Sequence, residues 1–123
     1  MTDQASTDRL LALGAAFAAR LAKDATQLSA LAAQLEVQSA PERAQVLEEI
    51  RSTVHRLRGT APAFDAADIG EAAGGIEVAI VESDASAGEV APAVRQKLAE
   101  LMSMLDTALG AHGPPREFRP NLG

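Results

Sequence analysis

A chain of 123 residues is long enough to bury one hydrophobic core and too short for two comfortable domains. Its 47% hydrophobic content rests on Leu, Ile, Val and Ala, with three Phe and neither Trp nor Tyr, and the absence of strict alternation disfavours a sheet. A formal net charge of −6 argues against broad binding to nucleic acid or an anionic membrane, while the lack of cysteine removes disulfides and thiolate metal sites and fits a reducing cytoplasm.

Residues 1 to 6 read as a flexible N-terminus, and their acidic Asp3 is unlike the basic start of a signal peptide. Leu10, Leu13, Phe17, Leu21, Leu28, Leu31 and Leu35 then recur at spacings of three, four or seven, which predicts a long amphipathic helix over about 8–37. The run Leu10 to Ala19 is bracketed by Arg9 and Arg20 and is too short to span a bilayer. Gly14 weakens this helix by up to ~1 kcal/mol relative to Ala; close packing is the expected reason for it, with a break in the helix as the alternative.

Ser39-Ala40-Pro41-Glu42 carries the marks of a helix start: a capping Ser, an early Pro, and a Glu three residues after the Ser. The second helix should run to about Phe64, with Leu47, Ile50, Val54, Leu57, Ala61 and Phe64 on a core-facing stripe about 100° wide. Pro62 should bend it, because the ring conflicts with the carbonyl of Arg58, and Asp65 should serve as a turn residue or cap. Ile69, Ala73, Ile76 and Ile80 predict a third helix from Ala66 to about Glu82. Gly74-Gly75 inside it suggests the close approach of a neighbouring backbone; no strand precedes the pair, so it is not read as a phosphate loop.

Ser83 to Gly88 reads as a connection, and Ser86 with Glu89 as a further capping box, although Pro92 places the proper start of the fourth helix near Ala91. Val94, Leu98, Leu101, Leu105 and Ala108 form its stripe, with Met102 and Met104 as gap fillers and Gly110 as its end. Residues 111 to 123, containing Gly113-Pro114-Pro115, Pro120 and His112, read as a disordered C-terminal tail. The expectation is an all-α protein, an antiparallel up-down four-helix bundle over residues 7–110.

The chemistry centres on His55. It sits about 130° from the middle of the second helix's stripe, so it should face solvent on an anchored helix. Arg51, four residues before it, and Arg58, three after, are its helical neighbours, and guanidinium groups can hold phosphate oxygens in a forked geometry. With Arg56 they make a basic patch on an acidic chain. Gly59 lies one turn on and leaves room for another molecule to approach the imidazole. A lone exposed histidine is ordinarily an unremarked surface residue. Other chemistries fare worse: there is no G-x-S-x-G elbow, no H-E-x-x-H pair, and no Walker loop or kinase signature.

The string His55-x-Leu57-Arg58-Gly59-Thr60-Ala61-x-x-Phe64, followed by a helix with Ile69, Ile76 and Glu77, resembles the histidine-containing phosphotransfer (HPt) family. The chain departs from that pattern at Arg58, where Lys is commoner, at Asp65, where Gly usually ends the helix, and at Pro62. The resemblance implies a phosphoryl relay between aspartates of receiver domains through phosphohistidine at Nε2 of His55, with no direct use of ATP. It also implies phosphate stabilisation by Arg58 and Arg51, and receiver docking over Gly59, Ser52, Arg56 and Pro62. The chain needs no cofactor of its own in this reading, Mg²⁺ being expected on the receiver of a response regulator or hybrid kinase. A cytoplasmic monomer is the expected form. The rival readings are a non-catalytic helical module that docks receivers or another helical partner, and a structural adaptor that self-associates through an Ala-rich face.

Overall fold

Four helices account for most of the chain in the computed structural model, which describes residues 4–83 and 89–121. Helix α1 covers Gln4–Val37, α2 Ala40–Thr60, α3 Ala67–Glu82 and α4 Pro92–Ala108, and a 3₁₀ turn, Ala61–Phe64, joins α2 to α3. No strand occurs among the described residues. The helices touch in chain order and α4 closes back onto α1, forming a ring around one core.

Side-chain contacts give the register. Pro62 meets Gly70, Arg58 meets Gly74, and His55 meets Glu77, so α2 descends as α3 climbs. Arg56, late in α2, pairs with Asp24 in the middle of α1, while Arg95 at the start of α4 pairs with Glu36 at the end of α1. Both pairings are antiparallel, and the expected up-down four-helix bundle is what forms.

The predicted stripes supply the core: Leu47, Ile50, Val54 and Leu57 of α2 pack with Phe17, Leu21 and Leu28 of α1, Ile69 and Ile76 of α3, and Leu98 and Leu101 of α4, all buried. Removing any one of these from water contributes about 1.5–3 kcal/mol, which anchors α2 firmly and leaves its opposite face free to carry chemistry. No buried side-chain nitrogen or oxygen lacks a partner among the described residues.

Several expectations need correction. Residues 4–6, assigned to a flexible start, are helical, and residues 1–3 lie outside the described residues, as does Ser86 of the expected capping box. Leu13 is 51% exposed, at the rim of a groove that it lines with Phe17, Thr60 and Phe64. Ser39 is the N-cap of α2 but makes no side-chain cap bond, so Pro41 rather than a capping box marks that start. Phe64 is half-buried and stacked on Phe17, ring centroids 4.6 Å apart.

The segment after α4, expected to be a disordered tail, is folded back over the bundle as far as Asn121. Gly110 takes φ 95° and the amide of Ala111 donates to the Asp106 carbonyl, which ends α4 and reverses the chain. Phe118 is then buried, with its ring edge-on to Phe17 at 5.0 Å. Gly14 explains how: a Cβ there would collide with the carbonyl oxygen of Phe118, so only glycine lets the returning segment lie against α1. The expected close packing at Gly14 is thus present. Its partner is the segment that composition marked as structureless.

The junction after α2 follows from Pro62 and Asp65. Pro62 has no N–H for the Arg58 carbonyl, and the helix tightens into the 3₁₀ turn. Asp65 then adopts φ 59°, ψ 35°, while the amide of Ala66 donates across six residues to the Ala61 carbonyl at 3.0 Å. This left-handed cap normally takes glycine, and aspartate is among the few other residues that tolerate it.

Candidate functional site

The buried residues Thr53, Val54 and Leu57 hold α2 down, so that Ser52, His55, Gly59 and Pro62 stand exposed along its outer side. Steps of three, four and three residues keep them on one face. The His55 side chain is 67% exposed, as its position on the helix predicts. A Cβ at Gly59 would meet nothing within 4 Å, so the approach to the imidazole along this face is open.

The inner edge of the ring is held. Nδ1 of His55 lies 2.6 Å from Oε2 of Glu77, which α3 presents from beside its apolar stripe. Glu77 is 8% exposed, and its second oxygen accepts a bond from Nη1 of Arg58 at 2.9 Å. That Arg58 bond, assisted by His55, holds the Glu77 carboxyl below the ordinary glutamate value even though burial pushes the other way. An ionised carboxylate can only accept, so the short contact assigns the proton to Nδ1 and the lone pair of the neutral ring to Nε2, on the exposed side.

Gly74 is what allows Arg58 to reach. A Cβ there would stand 3.3 Å from Cδ and 3.5 Å from Nε of Arg58, so the arginine stem lies across bare backbone. The neighbour that the Gly74-Gly75 pair accommodates is therefore a side chain rather than the backbone expected from sequence, with Lys97 of α4 above Gly75. Pro62 packs its ring on Gly70 in the same manner. Together Arg58, Pro62, Gly70, Gly74 and Lys97 line an open groove of about 830 Å³ that crosses α3 from the end of α2 to α4.

The other arginines are committed elsewhere. Arg51 forks onto Glu48 through Nε and Nη2 at 3.0 and 2.6 Å, and its Nη1 stands 3.8 Å from Glu77. The fork raises the arginine's proton affinity and holds Glu48 below its ordinary value. Arg56 turns to α1, where Asp24, 4% exposed, accepts from Nη2 at 3.2 Å and also faces Arg20 at 3.9 Å. Of the three basic neighbours anticipated around His55, only Arg58 and Arg51 share its carboxylate. Ser52 is exposed.

Glu77 is the site residue whose role the sequence reading missed, although the residue itself stands in the family pattern. Its signal was an acidic residue next to Ile76 and Ile80, at the edge of an otherwise apolar stripe, three residues after a glycine. His112 lies exposed in the turn after α4, remote in sequence from the cluster. Among the described residues no group of three or more His, Cys, Asp or Glu converges as a metal site, and no helix is long and apolar enough to cross a membrane.

A family model described as Hpt domain matches residues 8–108. No curated protein and no solved structure matches the chain.

Proposed function

The chain belongs to the Hpt domain family, whose general role is phosphotransfer, and from that premise we propose that it relays a phosphoryl group between aspartates of receiver domains through His55. The observation that carries this reading is the Nδ1 contact with Glu77, which leaves Nε2 as the exposed nucleophilic nitrogen. Nε2 attacks the phosphorus of an aspartyl phosphate. The N–P bond forms, the P–O bond to the acyl oxygen breaks, and the bonding pair leaves with the aspartate carboxylate. The ring keeps its proton on Nδ1 and becomes cationic, and the Glu77 carboxylate offsets that charge. The reverse sequence delivers the group to the next aspartate.

Mg²⁺ belongs to the receiver in this scheme, where it neutralises the transferring group. Arg58 supplies the charge from this chain: only Nη1 is engaged with Glu77, and the side chain is 59% exposed. Arg51 is the lesser contributor, because reaching Nε2 means releasing its fork on Glu48. Ser52, Gly59 and Pro62 form the docking face, with Arg56 at its border beside α1. All these groups lie in one chain, so a monomer suffices, and a cysteine-free chain with this role fits a reducing cytoplasm.

The test is incubation with a panel of phosphorylated receiver domains and Mg²⁺. Wild-type protein should acquire an acid-labile, base-stable label, the signature of a phosphoramidate bond. His55→Gln should abolish it while the helical signal is unchanged, and Arg58→Ala should slow it. Receivers that bind without labelling would identify a docking module in place of a relay. A label that survives His55→Gln would show that another residue is the acceptor.

A further inference from the structure

We propose that the C-terminal segment from Arg116 to Asn121 is a positioning strap for the docking face, with Gly14 as its seat and Arg116 as its clasp. The proposal rests on the phosphotransfer reading above and names residues that reading does not use.

The Arg116 amide ties the start of the strap to the Ala108 carbonyl of α4 at 2.7 Å, and three further polar bonds reach the turn after His55's helix and the start of α3. The amide of Asn121 donates to the Ala63 carbonyl at 2.6 Å, Nη2 of Arg116 donates to the Asp65 carbonyl at 2.9 Å, and Nη1 of Arg116 pairs with Asp68 at 2.9 Å. Between them, buried Phe118 stands edge-on to Phe17, which stacks on Phe64 of the same turn. Arg116 also lies over the Phe118 ring, 5.5 Å from its centroid. The 3₁₀ turn and its cap are thus gripped directly at Ala63 and Asp65, and Phe64 is reached through Phe17.

That turn needs a grip. A 3₁₀ run has poorer hydrogen-bond geometry than an α-helix, and Asp65 occupies a conformation that side chains disfavour. Pro62, the end of the exposed row that contains His55 and Gly59, lies within this turn. A receiver seated over His55 and reaching two helical turns along α2 meets Pro62 at the position the strap imposes. Binding to a preorganised face avoids the cost of ordering it at the moment of contact. The strap touches neither His55 nor Glu77, so it should govern docking and not the reactivity of the imidazole.

Two variants loosen it from opposite sides. Gly14→Ala puts a Cβ where the Phe118 carbonyl sits, yet favours the α1 helix intrinsically. Arg116→Ala removes the bonds to Asp65 and Asp68. Gly113→Ala, at a position with open space around it, is the control. Each full-length protein is labelled with a phosphorylated receiver over a range of receiver concentrations, and separately with phosphoramidate, a small donor that passes its phosphoryl group to imidazole and releases ammonia. The expected result is a several-fold rise in the receiver concentration giving half-maximal rate for Gly14→Ala and Arg116→Ala, unchanged labelling by phosphoramidate, and wild-type behaviour in Gly113→Ala. Unchanged receiver dependence in both variants would overturn the strap, as would an equal loss with both donors, which would place the fault at His55 or in the fold. Wild-type protein that accepts no label from any receiver would sink the phosphotransfer reading itself and the strap with it.

Discussion

Glu77 Oε2 stands 2.6 Å from His55 Nδ1, joining the buried edge of α3 to the exposed face of α2. The pairing makes one imidazole do two things: present a lone pair outward at Nε2 and keep a proton inward against a carboxylate. Arg58 completes it, because a carboxylate bonded to both His55 and Arg58 stays ionised as the ring gains charge.

Glu77→Gln tests this directly. Glutamine keeps an acceptor for the Nδ1 proton but loses the negative charge, so His55 labelling should slow by roughly tenfold or more, the scale of one charge-assisted hydrogen bond. The rate constant at saturating receiver should fall, with the receiver concentration for half-maximal rate little changed. A variant with wild-type rate would show that the carboxylate plays no part beyond packing.

Gly59→Leu separates access from folding. No atom would obstruct the new Cβ, and glycine is the poorer helix former, so the variant should be as stable as wild type or up to ~1 kcal/mol more stable by thermal or urea unfolding. Labelling by phosphorylated receivers should nonetheless be lost or much reduced, since the leucine fills the open face one turn from His55. Unchanged labelling would mean that receivers approach from another side.

The helices, their order and the exposure of His55 were legible because each depends on local periodicity: a buried stripe at 3.6-residue spacing fixes which way the remaining face points. The site's second half was not. Glu77 meets His55 across 22 positions in the chain, and nothing in the periodicity of α3 says which α2 residue stands opposite. The tail failed for a related reason. Gly113-Pro114-Pro115 prevents a helix, which composition reads as disorder, but Phe118 finds a seat over Gly14 that depends on a contact between the two ends of the chain. Leu13 differs the other way: its spacing suits a core, yet it stands half-exposed at the rim of the groove beside Thr60 and Phe64.

Asp65 offers a test of the junction. Its left-handed backbone favours glycine, so Asp65→Gly should stabilise the protein by a few tenths to about 1 kcal/mol, the backbone relief being partly offset by the greater freedom of glycine in the unfolded chain. Asp65→Val should destabilise by more than that, since a β-branched residue fits this region poorly. The Arg116 bond goes to the carbonyl of residue 65 and survives both changes, so urea midpoints report the backbone preference itself. If Asp65→Gly lowers the midpoint, the aspartate side chain contributes more than its backbone conformation costs.

Acid titration reads the clasp of the strap. Arg116, bonded to Asp68, is the main cause that holds this carboxyl below its ordinary value of 3.8, against an opposing effect of burial. Because the folded-state value is the depressed one, the ion pair contributes stability that is fully present above the unfolded value and is lost as pH falls through the folded one. Glu77, lowered from 4.5, acts in the same direction. Stability should therefore be nearly flat with respect to these two groups from pH 7 down to about 5, and should fall below that. Arg116→Ala removes the Asp68 contribution, which for a half-exposed pair is a few tenths to about 1 kcal/mol, and also the pH-independent bond to the Asp65 carbonyl. The gap between wild type and Arg116→Ala should be widest near neutrality and narrow in acid as Asp68 is protonated, without closing, when urea midpoints are compared from pH 7 to pH ~3. A gap that stays constant across that range would show that the Asp68 ion pair contributes nothing to stability and that Arg116 acts only through the Asp65 carbonyl and its contact with Phe118.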